Sequence, residues 1–320
     1  VKNKLLSHHK IQKEMFKRPP SIATFLALST LFLLAPFAKN QDLPKGFALY
    51  DQAEFKHYAN FHGGVGTIKY AEYYGPREYK SQHYFLRVVV LPPKTSIGEY
   101  RLVDSDETIA MLNGHAYVTV NGRTGHLVGE TLVPLKMGES FGIYNPTNSE
   151  VSFVWVASVS EKGSYHPVDL DNDLADQKPE GVIPFPHIYM DYYINPPNTF
   201  SAHRGLGTIR EASGKVDFDY FKTGYHTRYF IVPPGCSVGY HHHRSNEEHF
   251  FIVSGSGRAT VNDVTMRLGP LDCIKCGLND KHGIYNNGKE DLVIFFTNQP
   301  MPGVKRWGDV EDIGDDLSSR

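Results

Sequence analysis

Apolar residues along this chain come in short runs bounded by Gly and Pro, and almost nowhere at the three-to-four-residue spacing of an amphipathic helix. YFLRVVVLPP (84–93) and HTRYFIVPP (226–234) read as strands ended by Pro pairs. TIAMLNGHAYVTVNG (108–122) and HFFIVSGSGRATVND (249–263) read as strand–turn–strand units with Gly at the turn. VSFVWVAS (151–158) and LVIFFTN (292–298) are further apolar strands. Many short strands at regular spacing predict an all-β protein built as a sandwich or barrel.

The pattern occurs twice. Shifted by 141 residues, the chain aligns on itself without a gap from His62 to Val156. HGGVGTI (62–68) falls on HRGLGTI (203–209), Arg87 on Arg228, Gly98 on Gly239, Glu107 on Glu248, and GIYN (142–145) on GIYN (283–286). A constant offset over so many positions predicts two copies of one domain. The expected division is a leader at 1–38, a first domain at 39–160, a second at 161–300 and an acidic tail at 301–320. Residues 161–200, with VDLDNDLADQKPEG and INPPN, are expected to connect the copies and wrap the edge of the second, and the tail to be a solvated end.

Composition adds a leader and removes one class of partner. The formal charge of -2 gives no reason to expect nucleic acid. It conceals six bases and one acid in residues 1–38, ahead of an acidic body. Ser21 to Ala38 is an uncharged apolar run behind those bases, the layout of a secretory signal. A secreted or periplasmic protein is expected, with a membrane anchor at 21–38 as the alternative and no other membrane contact. Three Cys among 320 residues are too few to build the fold on disulfides. Cys273 and Cys276 form a C-x-x-C in a β stretch rather than at a helix start, so buried thiols or one disulfide are expected there, with Cys236 nearby.

The chemistry concentrates in the second copy. His241 and His243 alternate along a strand and so share a face, Glu248 follows a four-residue turn, and His282 comes from a later strand. Three imidazoles and a carboxylate converging on an interior make a first-row transition-metal site with open positions. One divalent ion (Fe, Mn, Ni, Cu or Zn) is the expected cofactor. His242 and His249 should face the other way. The first copy has Tyr100, Leu102, Glu107 and Phe141 at the four positions, so it should be metal-free, with Tyr100 and Phe141 filling its interior and Glu107 a residual surface or salt-bridged carboxylate. Residues common to both copies, such as Arg87/Arg228 and Asn145/Asn286, survive without a metal and suit scaffold roles.

GCSVGYHHHRSNEEHFFIVSG (235–255) resembles the first cupin motif, and GPLDCIKCGLNDKHGIYN (269–286) resembles the second, with Lys275 in place of the usual Pro and extra spacing before His282. The resemblance implies a bicupin of two tandem double-stranded β-helix (jelly-roll) barrels. By carry-over, the metal ligands are His241, His243, Glu248 and His282. It implies dioxygenase, lyase, isomerase or hydrolase chemistry, or ligand binding and storage without catalysis, and often a homo-oligomer formed through the sheets. Strand alternation puts Phe250 and Ile252 beside Glu248, giving an apolar wall, and puts His226, matched by Phe85, where it could serve as a base or hydrogen-bond donor behind the ligands. An exported metal-dependent enzyme on a small organic substrate is expected, with dioxygenase chemistry first.

Overall fold

The computed structural model describes residues 43–129, 131–180, 198–212, 220–304 and 309–320. The expected leader at 1–38 and the INPPN segment up to residue 197 lie outside the described residues. Within them the chain is almost entirely β, its only helical pieces being two three-residue turns. No described helix is long and apolar enough to cross a membrane.

Every paired strand is antiparallel, and the strands form two barrels of two sheets each. In the N-terminal barrel a six-stranded sheet runs from Lys56–Ala59 through Thr67–Tyr74, His83–Leu91, Val151–Val159 and Ser105–Met111 to Leu132–Leu135. It faces a five-stranded sheet that contains Ser96–Arg101 and Ser140–Tyr144. In the C-terminal barrel a seven-stranded sheet carries Cys273–Cys276, Asn246–Ser254, Leu292–Pro300 and His226–Val232 side by side. The sheet facing it carries Gly257–Val261, His282–Tyr285 and Ser237–His243.

The alternation of each strand sorts its residues between two environments. Inward residues such as Phe85, Ile109, Phe153 and Trp155 fill the first barrel, and Phe230, Phe250, Ile252 and Phe296 fill the second. Residues of opposite parity on the two large sheets (Leu86, Val88, Val154 and Val156 against Tyr229, Ile231, Phe251 and Phe295) form a third core between the barrels. This explains why these strands are apolar on both faces.

Two connecting segments differ from their sequence expectation. Within 161–200, Asn198–Phe200 does add an edge strand to the second copy's large sheet, whereas Val168–Asn172 pairs with Ser96–Arg101 of the first. The tail is not merely a solvated end. Val310–Asp312 pairs with Ser237–His243, and Leu317 is buried with its Cδ1 over Gly283. Leu174 covers Gly142 of the first barrel in the same way. The two segments are copies of each other: DLDNDL (169–174) corresponds to DIGDDL (312–317) at an offset of 143. The two-residue slip takes them out of the 141-residue register, which is why their kinship is hidden in an ungapped alignment. Near the start, Phe47–Ala48 pairs with Cys273 and Ile274 of the C-terminal barrel, so the chain crosses between barrels there too.

Shared residues do hold the scaffold. The Asn286 amide donates to Val232 O (2.7 Å) and Glu290 O (2.8 Å) and accepts from Gly288 N, tying three stretches of backbone together. Asn145 repeats this with Leu91, Ser149 and Thr147. Arg87 pairs with Glu72, and Arg228 with Glu211.

Candidate metal centre

His241, His243, Glu248 and His282 converge in the C-terminal barrel. One ligand atom from each lies within 4.8 Å of every other, and all four residues are buried. The Ser237–His243 strand delivers the first two on one face, and His282 is the cross-strand partner of His241. Glu248 comes from the opposite sheet, so the four donors close on the interior from both layers.

The imidazoles are set up as donors through one nitrogen. His241 Nδ1–H donates to Gly239 O and His282 Nδ1–H to Asp280 O, each at 2.8 Å, which turns Nε2 of both rings toward the interior, where His282 Nε2 lies 3.1 Å from Glu248 Oε2. His243 Nε2 lies 3.2 Å from Glu248 Oε1, but neither ring nitrogen makes a hydrogen bond to any described residue. A buried histidine so unsatisfied is costly unless something else takes its lone pair. Burial, reinforced by the neighbouring histidines, pushes His241 well below the usual imidazole range. Burial, partly opposed by Glu248, brings His243 down to about 4. Burial alone would raise the Glu248 carboxyl; His243 and His282 outweigh it and pull the group down to about 2. Neutral His241 and His243 beside an ionised Glu248 are the protonation states a metal requires.

Glu248 is held from behind by two amides that sequence reasoning missed. Asn298 Nδ2 donates to Oε1 at 2.6 Å and Asn246 Nδ2 at 3.3 Å. His226, Asn298 and Glu248 lie in one cross-strand row, so His226 faces the same interior but is separated from Glu248 by Asn298. Phe250 and Ile252 line the interior as expected, and Phe250 meets the His282 ring edge-on. His242 points away toward Glu311, and His249 turns into the space between barrels, where it meets Tyr79 and Thr297.

Another missed residue is His203. Its ring stacks on His241 with centroids 3.6 Å apart and planes 10° from parallel, and its Nδ1 donates to Asp312 Oδ1 at 2.9 Å. The signal was present as His62/His203 in the aligned HGGVGTI and HRGLGTI, but a histidine outside a ligand spacing says nothing of its neighbours.

The first barrel shows what the same fold does without the histidines. Glu107 is not a surface or salt-bridged carboxylate but a fully buried one. It accepts hydrogen bonds from Tyr100 (2.7 Å), Trp155 (2.7 Å), Tyr165 (3.0 Å) and Ser105 (3.1 Å). Burial still raises its pKa against those bonds. Tyr100 and Phe141 fill the interior, so the donor set here is a single carboxylate already occupied by protein. The three cysteines are free: Cys276 faces the barrel interior, and Cys273, three residues earlier on an extended strand, faces the inter-barrel core. The C-x-x-C therefore cannot close on itself in this strand.

The Cupin domain family matches residues 228–298, the stretch that contains all four donors. Among solved structures, a mutant oxalate decarboxylase of Bacillus subtilis is 17% identical, covers 87% of this chain and 82% of its own, and superposes with a TM-score of 0.57. The formate complex of the Lactobacillus farciminis oxalate decarboxylase is also 17% identical (87% and 91% covered, TM-score 0.56). A further Bacillus subtilis oxalate decarboxylase, studied for its Mn(II) centres, is 16% identical (87% and 82% covered, TM-score 0.56). Identities this low establish the two-barrel fold and no more. No curated protein matches the chain in sequence.

Proposed function

We propose that this bicupin, with one complete donor set among the described residues, is an exported metal-dependent enzyme acting on a small organic substrate in the C-terminal barrel. The observation that carries the proposal is the His241–His243–Glu248–His282 cluster, whose His243 ring nitrogens are buried without hydrogen-bond partners. A divalent Fe, Mn, Ni, Cu or Zn fits three imidazoles and a carboxylate, and when bound it would supply Lewis acidity or, for Fe, Mn and Cu, redox chemistry.

The chain's own residues do the rest. His241 and His282 hold their Nδ1 protons on backbone carbonyls and present Nε2 inward. Asn298 and Asn246 fix the direction of the Glu248 carboxylate. Phe250, Ile252 and Phe296 exclude water and favour an apolar substrate body, with one or two oxygen atoms as its polar end. His226, in the row behind Asn298, is a candidate for a base or donor outside the ligand set. Dioxygenase-type chemistry suits this partly apolar interior best. A lyase is the second reading, supported by the oxalate decarboxylases that share the fold; the lack of a second donor set in the N-terminal barrel counts against it.

Turnover of candidate substrates by metal-loaded protein, with and without O2, separates these readings. Substrate-dependent O2 uptake, lost in His241→Ala/His243→Ala, is the expected result. Equal turnover under anaerobic conditions would transfer the assignment to a lyase, isomerase or hydrolase. Absence of turnover together with stoichiometric ligand binding would leave a binding or storage protein.

A further inference from the structure

The His203–Asp312 pair is built with more constraint than packing requires. His203 lies flat on His241, and the ring of His241 is thereby fixed on three sides: its Nδ1 on Gly239 O, one face on His203, and the His282 ring with its centroid 4.3 Å away. His203 and Arg204 both adopt left-handed backbone conformations (φ 50° and 57°), which non-glycine residues rarely take. Their loop presses so closely onto the ligand strand that a Cβ on Gly239 would lie 2.0 Å from His203 O. The loop is then clamped from outside by the tail: Asp312 bonds His203 Nδ1 and is the cross-strand partner of His241.

The first barrel carries the same device over a residue that binds no metal. His62 (φ 51°) donates to Asp169 at 2.6 Å and stacks on Tyr100, at the position of His241. That stack is looser, 4.2 Å between centroids and 23° between planes, and the next residue is Gly63, which takes the left-handed conformation without penalty. The second barrel keeps the pair at higher conformational cost and with a closer stack, where a ligand ring lies beneath it.

We propose that His203, oriented by Asp312 of the C-terminal strand, is a positioning residue that holds the His241 ring for metal binding. This rests on the metal reading above. Residues that orient a ligating histidine typically govern metal affinity by about 10–100-fold. The Asp312 link also makes the C-terminal segment a part of the metal centre.

The test uses the full chain loaded with Zn2+, following its release to a chromogenic chelator, and with Co2+, following the visible spectrum. His203→Ala should release zinc at least about 10-fold faster and shift the cobalt bands. Asp312→Ala should do the same to a lesser degree, whereas Asp312→Asn, whose amide oxygen still accepts the Nδ1 proton, should stay within about threefold of wild type. His62→Ala, the matched substitution in the first barrel, should leave release unchanged. Release from His203→Ala within twofold of wild type, or equal acceleration by His62→Ala, overturns the proposal. Should His203→Ala fail to fold, the Asp312→Ala and Asp312→Asn pair decides: equal release rates would refute it. Failure of wild-type protein to hold any divalent transition metal, zinc and cobalt included, would instead refute the metal reading itself.

Discussion

Glu107 and Glu248 occupy one position in two copies of a domain and have opposite surroundings. Four side-chain donors saturate Glu107, whereas Glu248 faces three imidazoles and takes amide bonds on one oxygen from behind. The four candidate ligands were legible in the sequence because strand alternation and motif spacing fix which residues share a face. Asn298, Asn246 and His203 were not, since each acts through a contact between segments far apart in sequence. His83 is a second case of this kind. It lies buried between the barrels among Tyr79, Tyr225 and His249, with neither ring nitrogen bonded to a described residue. Burial, and then the Lys275 charge, lower it to about 3. The unfolded chain takes up this proton below about pH 6.5, but the folded chain does so only near 3. Stability from this site is therefore complete above about 6.5 and falls by roughly 1 kcal/mol per pH unit as pH drops through that window. His83→Phe should keep near-wild-type stability at pH 7 and show a shallower loss between pH 6.5 and 4.5 in urea unfolding. Parallel losses in the two proteins would refute this.

At the scale of elements, short apolar runs ended by Gly and Pro identified the strands, and the ungapped repeat identified the barrels. The two straps escaped notice. DLDNDL and DIGDDL are too polar to read as strands, and their shared offset of 143 departs from the 141 of the barrels. Their function becomes visible in three dimensions: each adds an edge strand beside the ligand-position strand and drops a leucine onto the glycine of GIYN. This also explains that glycine, because any side chain at Gly142 or Gly283 would collide with Leu174 or Leu317. Leu317→Ala should cost about 2–5 kcal/mol, as expected for a buried leucine, and lower the melting temperature by several degrees. A change below ~0.5 kcal/mol would mean the strap is dispensable.

At the scale of the whole molecule the two copies differ in what fills the barrel, aromatic side chains in the first and the His/Glu cluster in the second. The barrels pack through the outer faces of their large sheets, and their polar contacts there are reciprocal. Asp106 of the first accepts from Thr223 N (2.7 Å), and Glu247 of the second accepts from Lys80 N (3.0 Å) and Ser81 N (2.7 Å). These two carboxylates are themselves repeat partners, each one residue before Glu107 or Glu248. The strand bearing Glu248 is thus held by the first barrel, which carries Tyr100, Leu102 and Phe141 where the second has its histidines. The central claim is one metal per chain, held by the C-terminal barrel alone. Elemental analysis of purified full-length protein tests it most directly. Close to one equivalent of a divalent transition metal is expected in wild type and in Glu107→Gln, falling to under a tenth in His241→Ala/His243→Ala. No stoichiometric metal in wild type, or the same content in the double variant, would contradict it.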